Sequence, residues 1–300
     1  MALKATMPAV LLFGFLHGAG ASSQLSQNLP ASANEFVRQV VANEIKAENQ
    51  DHSHWAFRLQ TEKAGRTEID QVVETKDGNV QLPVSINGSP LTAKQKQQAK
   101  TQLKKLVHNP DALRRSLHEE NEDTARTQNL LKLLPDAFVF SYDGAGAGDL
   151  MKLKFSPSPH FRPPSRDAQV FHAMEGEMTV DSRQQRLAEI SGHLIREVKF
   201  GGGLLGHLDK GGQFSVKQEQ ISPGLWELTA LNVQMQGKAL FFKTIAVQQK
   251  MLRSGFRRVS DDLTVAEAAD MLGKSALDST DAATGAAGNR FPLRLAFAVE

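Results

Sequence analysis

The sequence predicts an α+β protein built on one large, curved antiparallel sheet, and three observations support this fold class. Between Glu175 and Val259, apolar and polar side chains alternate in long segments, which is the two-residue period of strands with one apolar face. Glycine and proline turns separate these segments, as in consecutive hairpins. Apolar residues spaced three or four apart near the N-terminus, and again from Thr92 to Leu134, predict helices that cover the sheet.

The first 21 residues are typical of a secretory signal peptide. Lys4 is their one charged residue, an apolar run covers residues 8–16, and Ala-Gly-Ala at residues 19–21 matches a signal-peptidase site. The apolar run is too short to span a bilayer as a helix. We therefore expect an exported, periplasmic protein whose mature chain is soluble.

The composition excludes several classes of site. The chain has no cysteine, which excludes disulfides, thiolate nucleophiles, cysteine-bound zinc and iron–sulfur clusters. Its 35 basic and 33 acidic residues give a net charge of +2, so we expect no nucleic-acid partner. The motifs predict neither a cofactor nor a metal. We expect one domain over residues 22–273, with a helical insertion at 92–134 and a flexible tail at 274–300.

Local signals place the elements of the N-terminal half. Ser32 is predicted to cap a helix with an apolar stripe, and Trp55 to open a strand region with a turn at residues 76–79. The helical insertion is predicted to start at Thr92 and to break at Asn109-Pro110. Strands are predicted at 137–142 and 150–155, followed by an extended proline-rich loop at 156–165.

The C-terminal half predicts the antiparallel meander. Ala188, Ile190, Leu194, Val198 and Phe200 share one parity, as do Gly192 and Arg196 between them. The next segments, 213–222, 225–236 and 238–248, are predicted to be joined by turns at 222–224 and at Gly237-Lys238. The segment from residue 225 has apolar residues on both parities, which indicates either a bulge near Ala230 or a sheet covered on both faces. Asp261 or Asp262 is predicted to cap a short helix.

Three motifs resemble those of known functional sites, but each has a simpler structural interpretation. Residues 201–206 match G-x-G-x-x-G, yet a strand follows them instead of a helix, which favours a glycine-rich connection between antiparallel strands. His118 and Glu119 resemble the start of a zinc-protease helix, but Glu122 stands where the second histidine would be. His52 and His54 are only two ligands, which is too few for a metal site.

Two further hypotheses concern charged residues, namely Arg196 and the lysines of the helical insertion. A regular strand would point Arg196 toward the apolar face, where it would pair with a carboxylate or carbonyl, reach the sheet rim, or hold a lid or an anionic headgroup. Basic residues dominate the first half of the insertion, and their ordinary role is a solvated helical face. The alternative is transient contact with an anionic membrane surface or an acidic partner through Lys94, Lys100, Lys104 and Lys105.

Within the meander, four segments carry a family resemblance. They are Gly224-Leu-Trp226-Glu-Leu-Thr229, Val233-Gln-Met-Gln-Gly237-Lys, Phe241-Phe242-Lys and Phe256-Arg-Arg-Val259. Together with the element order, they resemble the LolA/LolB-type lipoprotein-localisation family of exported bacterial proteins. The resemblance implies an unclosed β-barrel, helices over an apolar concavity that holds acyl chains, and no catalytic residues.

The sequence thus predicts an exported, non-enzymatic protein that binds a lipid or a lipoprotein acyl chain. A carrier for lipoprotein sorting is one form of this prediction. The candidate lining residues are Phe200, Trp226, Leu228, Leu231, Val233, Phe241 and Phe242. One alternative is a periplasmic envelope-interaction or sensor protein whose core is filled. A third is a hydrolase with an unrecognised site, which clustered perturbed carboxylates or histidines in a cleft would favour.

Overall fold

The computed structural model describes residues 30–239 and 243–282. The predicted signal peptide, residues 283–300 and the candidate lining residues Phe241 and Phe242 lie outside the described residues.

One antiparallel sheet of thirteen strands dominates the described chain. The strands are β1 (Trp55–Lys63), β2 (Arg66–Val73), β3 (Val80–Ile86), β4 (Ser89–Pro90), β5 (Phe138–Ala145), β6 (Leu150–Pro157), β7 (Met174–Asp181), β8 (Arg186–Leu194), β9 (Val198–Phe200), β10 (Gly206–Leu208), β11 (Gln213–Ser222), β12 (Leu225–Ala239) and β13 (Lys243–Arg258). Their order is β4-β3-β2-β1-β13-β12-β11-β8-β7-β6-β5, and β10 pairs with both β12 and β9. Because β4 and β5 are opposite ends of this order, the curved sheet is not closed into a barrel, which confirms the predicted fold class.

The α-helices of the described chain are α1 (Ala33–Gln50), α2 (Ala93–Val107), α3 (Pro110–Ala137) and α4 (Val265–Ala282), and 3₁₀ helices cover Asp167–Ala173 and Gly201–Gly203. The Ser32 side chain accepts a hydrogen bond from the Glu35 amide, which confirms the predicted cap of α1. The helical insertion breaks at Asn109, as predicted. The cap of α4 is Thr264 instead of Asp261 or Asp262, because Thr264 and Glu267 exchange capping-box hydrogen bonds. Helix α4 also continues past residue 273, where the flexible tail was expected to begin.

Two clusters of buried side chains fix these helices on the sheet. In the larger one, Phe36, Val37 and Val40 of α1 are essentially inaccessible to water and pack with Leu153 and Leu194 of the sheet. In the second, α2, α4 and the start of α3 pack with β1–β3. Removing this much apolar surface from water is the main stabilising contribution to the fold.

The predicted alternation of β8 is wrong at two places. Val180 pairs with Leu187 while Thr179 pairs with Glu189, so Ala188 is an extra residue in a β-bulge and Leu187 takes its place in the core. The strand also ends at Leu194, and the chain turns before β9. Arg196 therefore lies in a turn instead of pointing to the apolar face, and its side chain is exposed.

The predicted turn at Gly237-Lys238 is also wrong, because β12 continues through these residues to Ala239. A glycine is required at position 237 for a different reason. It pairs with Leu208 of β10, and a Cβ at this position would lie 2.1 Å from the His207 carbonyl oxygen. The glycine thus allows close approach of β10. The glycine-rich segment 201–206 connects the antiparallel strands β9 and β10, as predicted.

The predicted bulge near Ala230 is confirmed. Lys217 pairs with Ala230 while Gln218 pairs with Leu228, so Thr229 is the extra residue on β12. Its hydroxyl donates to the Lys217 carbonyl, 3.4 Å away. The bulge shifts the alternation by one residue, so Trp226 and Leu228 lie on the same face of β12 as Leu231 and Val233.

Candidate functional site

The described residues form a cavity with a volume of about 880 Å³. It lies between the C-terminal half of α1, the middle of α3 and the ends of several strands. Each element contributes to its wall: α1 and the linker after it (Glu44, Ile45, Ala47, Glu48, Gln50, Asp51, Ser53, His54), the β2–β3 turn (Glu74, Thr75, Asn79), α3 (Asp123, Thr124, Thr127, Gln128, Leu131) and the strands (Arg186, Val216, Gln218, Gly224, Leu225, Trp226, Glu227, Leu228, Arg253).

Apolar side chains form one part of this wall. Trp226 and Leu228 come from the start of β12, Val216 from β11, and Ile45 and Leu131 from the two helices above the sheet. The Trp226 indole N–H donates to the Gln184 side-chain oxygen, 3.1 Å away, which fixes the orientation of the ring. These residues are half-buried, so they keep an apolar surface open to the cavity.

A buried ion pair supports the tryptophan. The Glu44 and Arg186 side chains are only 7% and 12% exposed, and Arg186 Nε lies 2.7 Å from Glu44 Oε1. The Arg186 guanidinium carbon lies 5.9 Å from the centre of the Trp226 ring, within the range of a cation–π contact. Helix α1 is thereby tied to the strand that underlies the apolar wall.

Carboxylates gather in another part of the wall. Burial, and to a lesser extent the nearby Glu74 carboxylate, raises the pKa of Glu227 to about 7. Burial also raises the pKa of Glu74, although its Oε2 accepts a hydrogen bond from the Trp55 amide 3.0 Å away. Burial likewise raises the pKa of Glu120, which accepts a hydrogen bond from Asn79 of the wall. At neutral pH, Glu227 therefore carries a proton for about half of the time.

Arg253 is the counter-charge of this carboxylate group. Its positive charge lowers the pKa values of Glu74, Glu120 and Glu227 and so partly opposes the effect of burial. Its guanidinium carbon lies 5.1 Å from the centre of the Phe57 ring. Its Nε is buried and has no hydrogen-bond partner among the described residues. Six carboxylates line the cavity against two arginines, so its electrostatic potential favours cations over anions.

The sequence-predicted lining residues divide between this cavity and other places. Trp226 and Leu228 line it. Leu231 and Val233 lie further along the same face of β12 and are half-buried. Phe200 packs at the edge of the larger core cluster instead.

Arg196 lies at a separate, smaller pocket of about 370 Å³. This pocket is formed by the turn before β9, the 3₁₀ helix at 167–173 and Pro163 of the proline-rich loop. The Arg196 guanidinium donates to the His172 carbonyl and so holds the 3₁₀ helix against the turn. None of the lining residues of this pocket is shared with the 880 Å³ cavity.

Sequence reasoning missed the carboxylate group. Glu74, Glu120, Glu227 and Arg253 are far apart in the chain and look like ordinary solvent-facing charges. The one local signal is Glu227 between Trp226 and Leu228, near the predicted bulge, where the facing of side chains is irregular.

Neither a metal-binding cluster nor a membrane-spanning helix is found in the described part of the chain. No group of three or more histidine, aspartate or glutamate side chains there could hold a metal ion. On α3, His118 Nε2 instead lies 3.4 Å from Glu122 Oε1, and both side chains are exposed. None of the described helices is long and apolar enough to cross a membrane.

Comparisons with known proteins add one structural similarity. No protein-family model matches the chain, and no curated protein matches it. Among solved structures, the chain is similar to a DUF1329 family protein from Desulfovibrio piger, with 10% sequence identity and a TM-score of 0.28. The match covers 79% of this chain and 99% of that protein. This similarity is too low to test membership of the LolA/LolB family, which stays a prediction. The proposed function therefore rests on the chain's own cavity.

Proposed function

We propose that the protein is a binding protein that holds an amphiphile, such as a lipid or a lipoprotein acyl chain, in the 880 Å³ cavity between α1, α3 and the sheet. The cavity itself carries this proposal. Its volume lies in the range of sites for small molecules, about 300–1,000 Å³. In the interaction or sensor alternative, this cavity would hold no amphiphile.

The apolar wall suits a hydrocarbon chain. Each methylene group that leaves water for this wall contributes about 0.8 kcal/mol, so several methylenes hold a ligand without covalent chemistry. Trp226 offers the largest apolar surface, and its ring is fixed by Gln184 and Arg186. Ile45 and Leu131 lie above the sheet, so the chain would lie between the helices and β12.

The carboxylate group suits the head of the same ligand. A cationic or hydrogen-bond-donating head would pair with Glu74 and Glu227, because burial destabilises the charged forms of these carboxylates. An anionic head would be repelled by the same side chains. We therefore expect an amine-bearing head group to be preferred over a carboxylate or sulfate head on the same chain.

The two tryptophans of the chain allow a direct test. Trp226 lines the cavity, whereas Trp55 is buried in a separate cluster with Phe57 and Phe256. Bromine on an acyl chain quenches indole fluorescence on contact. In the Trp55→Phe variant, we expect a chain-brominated amphiphile to quench Trp226 in a saturable way. The Trp226→Phe variant, which keeps only Trp55, is the matched control and should be quenched much less.

Head-group preference and cavity occupancy test the same proposal independently. Alkyltrimethylammonium and alkyl carboxylate probes with equal chains, below their micelle-forming concentrations, should bind in that order of affinity. Replacing both Glu74 and Glu227 by Gln should remove the preference for the ammonium head group, while Glu219→Gln at an exposed site should keep it.

Cavity occupancy is tested by Leu228→Phe, which should weaken binding by filling the cavity, whereas Leu204→Phe, at a residue 81% exposed, should not weaken it. Absence of saturable quenching in every case would refute the proposal.

The raised pKa of Glu227 supports a second candidate, a hydrolase. A carboxylic acid that is half-protonated at neutral pH can act as a general acid, and the neighbouring Glu74 could act as a base. Chromogenic esters and glycosides would test it, with Glu227→Gln as the key variant. Turnover that is lost in Glu227→Gln, in a folded protein that still quenches normally with the amphiphile, would establish the hydrolase. Turnover that survives this substitution would exclude Glu227 from the reaction.

A further inference from the structure

Helix α2 carries a concentrated positive charge. It contains five lysines and no acidic residue, and the chain has no aspartate or glutamate from Gly78 to Pro110. We name Lys94, Lys96, Lys100, Lys104 and Lys105 the lysine face. The whole chain has a net charge of only +2, so this face is a local feature and not the consequence of a basic protein.

The lysine face has no ionic partner within residues 30–239 and 243–282. None of its lysines forms an ion pair with any other described residue. Lys94, Lys104 and Lys105 are exposed, and Lys96 and Lys100 are half-buried. Ala99 and Leu103 are buried against the sheet and α4, so Lys94, Lys104 and Lys105 face outward, and Lys96 and Lys100 lie at the edge of the buried side.

Helix stability does not explain these charges. Lys94 and Lys96 lie at the N-terminal end of α2, where positive charge opposes the helix macrodipole. Lys96, Lys100 and Lys104 follow one another at i, i+4 spacing, where like charges repel. The macrodipole favours only Lys104 and Lys105, which lie in the last turn. The helix thus retains unfavourable charges that an external anionic partner would neutralise.

We propose that the lysine face docks the protein on the surface of an anionic phospholipid bilayer. Gln97, Gln98, Thr101 and Gln102 lie between the lysines on the exposed side of the helix. Protein interfaces are depleted of lysine and depend on aromatic and arginine anchors, which this side of α2 lacks. A polybasic surface needs only charge to bind anionic lipids. This inference is independent of what the cavity holds.

Vesicle co-sedimentation of the full chain tests the proposal. The probes are phosphatidylcholine vesicles with and without phosphatidylglycerol, at low and high salt. We expect binding only to the vesicles with phosphatidylglycerol, and loss of binding at high salt because salt screens surface charge. The variant Lys94→Gln, Lys100→Gln, Lys104→Gln, Lys105→Gln should bind about 1,000-fold more weakly. Glutamine preserves helix propensity, so far-ultraviolet circular dichroism should not change.

The matched control removes the same charge elsewhere. Lys46, Lys63, Lys132 and Lys210 are exposed lysines that form no ion pair with another described residue. Their combined replacement by glutamine should change vesicle binding by no more than a few-fold. An equal loss of vesicle binding in both variants would show that binding depends only on the net charge of the protein. That result would overturn the proposal. Binding of the wild-type chain to polyglutamate but not to vesicles would instead assign the lysine face to an acidic protein.

Discussion

Glu44 and Arg186 form a buried, two-point ion pair that joins α1 to β8. Arg186 Nε lies 2.7 Å from Glu44 Oε1, and Arg186 Nη2 lies 3.2 Å from Glu44 Oε2. Glu44 Oε1 also accepts a hydrogen bond from the Leu187 amide, 2.7 Å away. One carboxylate thus satisfies three donors beside the bulge in β8 and beneath the cavity wall.

Glu44→Ala should therefore destabilise the protein strongly. The substitution leaves a buried guanidinium without its counter-charge, which costs about 3–5 kcal/mol in comparable pairs. Urea unfolding followed by circular dichroism measures this change. Glu219→Ala breaks the exposed Lys217–Glu219 pair and should cost less than about 1 kcal/mol. A cost for Glu44→Ala as small as that of Glu219→Ala would show that α1 is held by its apolar stripe alone.

The raised pKa of Glu227 predicts a stability that falls with rising pH. Between the ordinary glutamate value of 4.5 and about 7, the folded state binds more protons than the unfolded state, so the free energy of unfolding decreases as pH increases. The total decrease from this group is up to about 3 kcal/mol, at about 1.4 kcal/mol for each pKa unit.

Glu227→Gln should remove this contribution, because the amide does not ionise. Relative to wild type, the variant should gain stability steadily as the pH rises through this window and no further above it. Urea unfolding at several pH values measures the difference. Glu219, which pairs directly with Glu227 across β11 and β12, is the matched exposed control. Parallel stability profiles for wild type and Glu227→Gln would contradict the buried environment of Glu227.

Gly237→Ala should destabilise the pairing of β10 with β12. The new Cβ would lie 2.1 Å from the His207 carbonyl oxygen, so the backbone must move apart. Overpacking of this kind typically costs about 1–3 kcal/mol. Gly273→Ala in α4 is the contrasting control, since its Cβ would meet no atom within 4 Å. Helix propensity predicts a gain of about 0.5–1 kcal/mol there, and thermal unfolding distinguishes the two directions.

Arg196→Leu should leave amphiphile binding unchanged, because Arg196 lines the separate pocket of about 370 Å³. The substitution removes an exposed hydrogen bond to the His172 carbonyl and should cost about 1 kcal/mol or less. Trp226 quenching in the Trp55→Phe background measures the affinity. A clear loss of affinity in a folded Arg196→Leu variant would restore the hypothesis that Arg196 contacts a lid or headgroup.

The features that sequence analysis predicted correctly depend on neighbours along the chain. The Ser32 cap, the helix break at Asn109 and the bulge beside Ala230 each leave a signal within a few residues. The alternation of apolar residues also predicted the antiparallel sheet. By contrast, Gly237 resembles a turn residue until β10 is placed beside it, which is a contact between segments about thirty residues apart.

The cavity could not be predicted for the same physical reason. Its carboxylates and Arg253 come from α1, the β2–β3 turn, α3, β12 and β13, and only the fold brings them together. Burial changes their chemistry, and burial is a property of the packed structure. Trp226 and Leu228 line this cavity, but the acidic character of its wall was not anticipated.

The extra residue Thr229 determines which side chains of β12 line the cavity, because it shifts the alternation of the strand by one residue. Without the bulge, strict alternation along β12 back from Leu231 would place Trp226 and Leu228 on the opposite face. A descendant of this chain could thus acquire a different ligand preference through a one-residue shift in the pairing of β12 at Thr229, with no substitution in any of the residues that line the cavity.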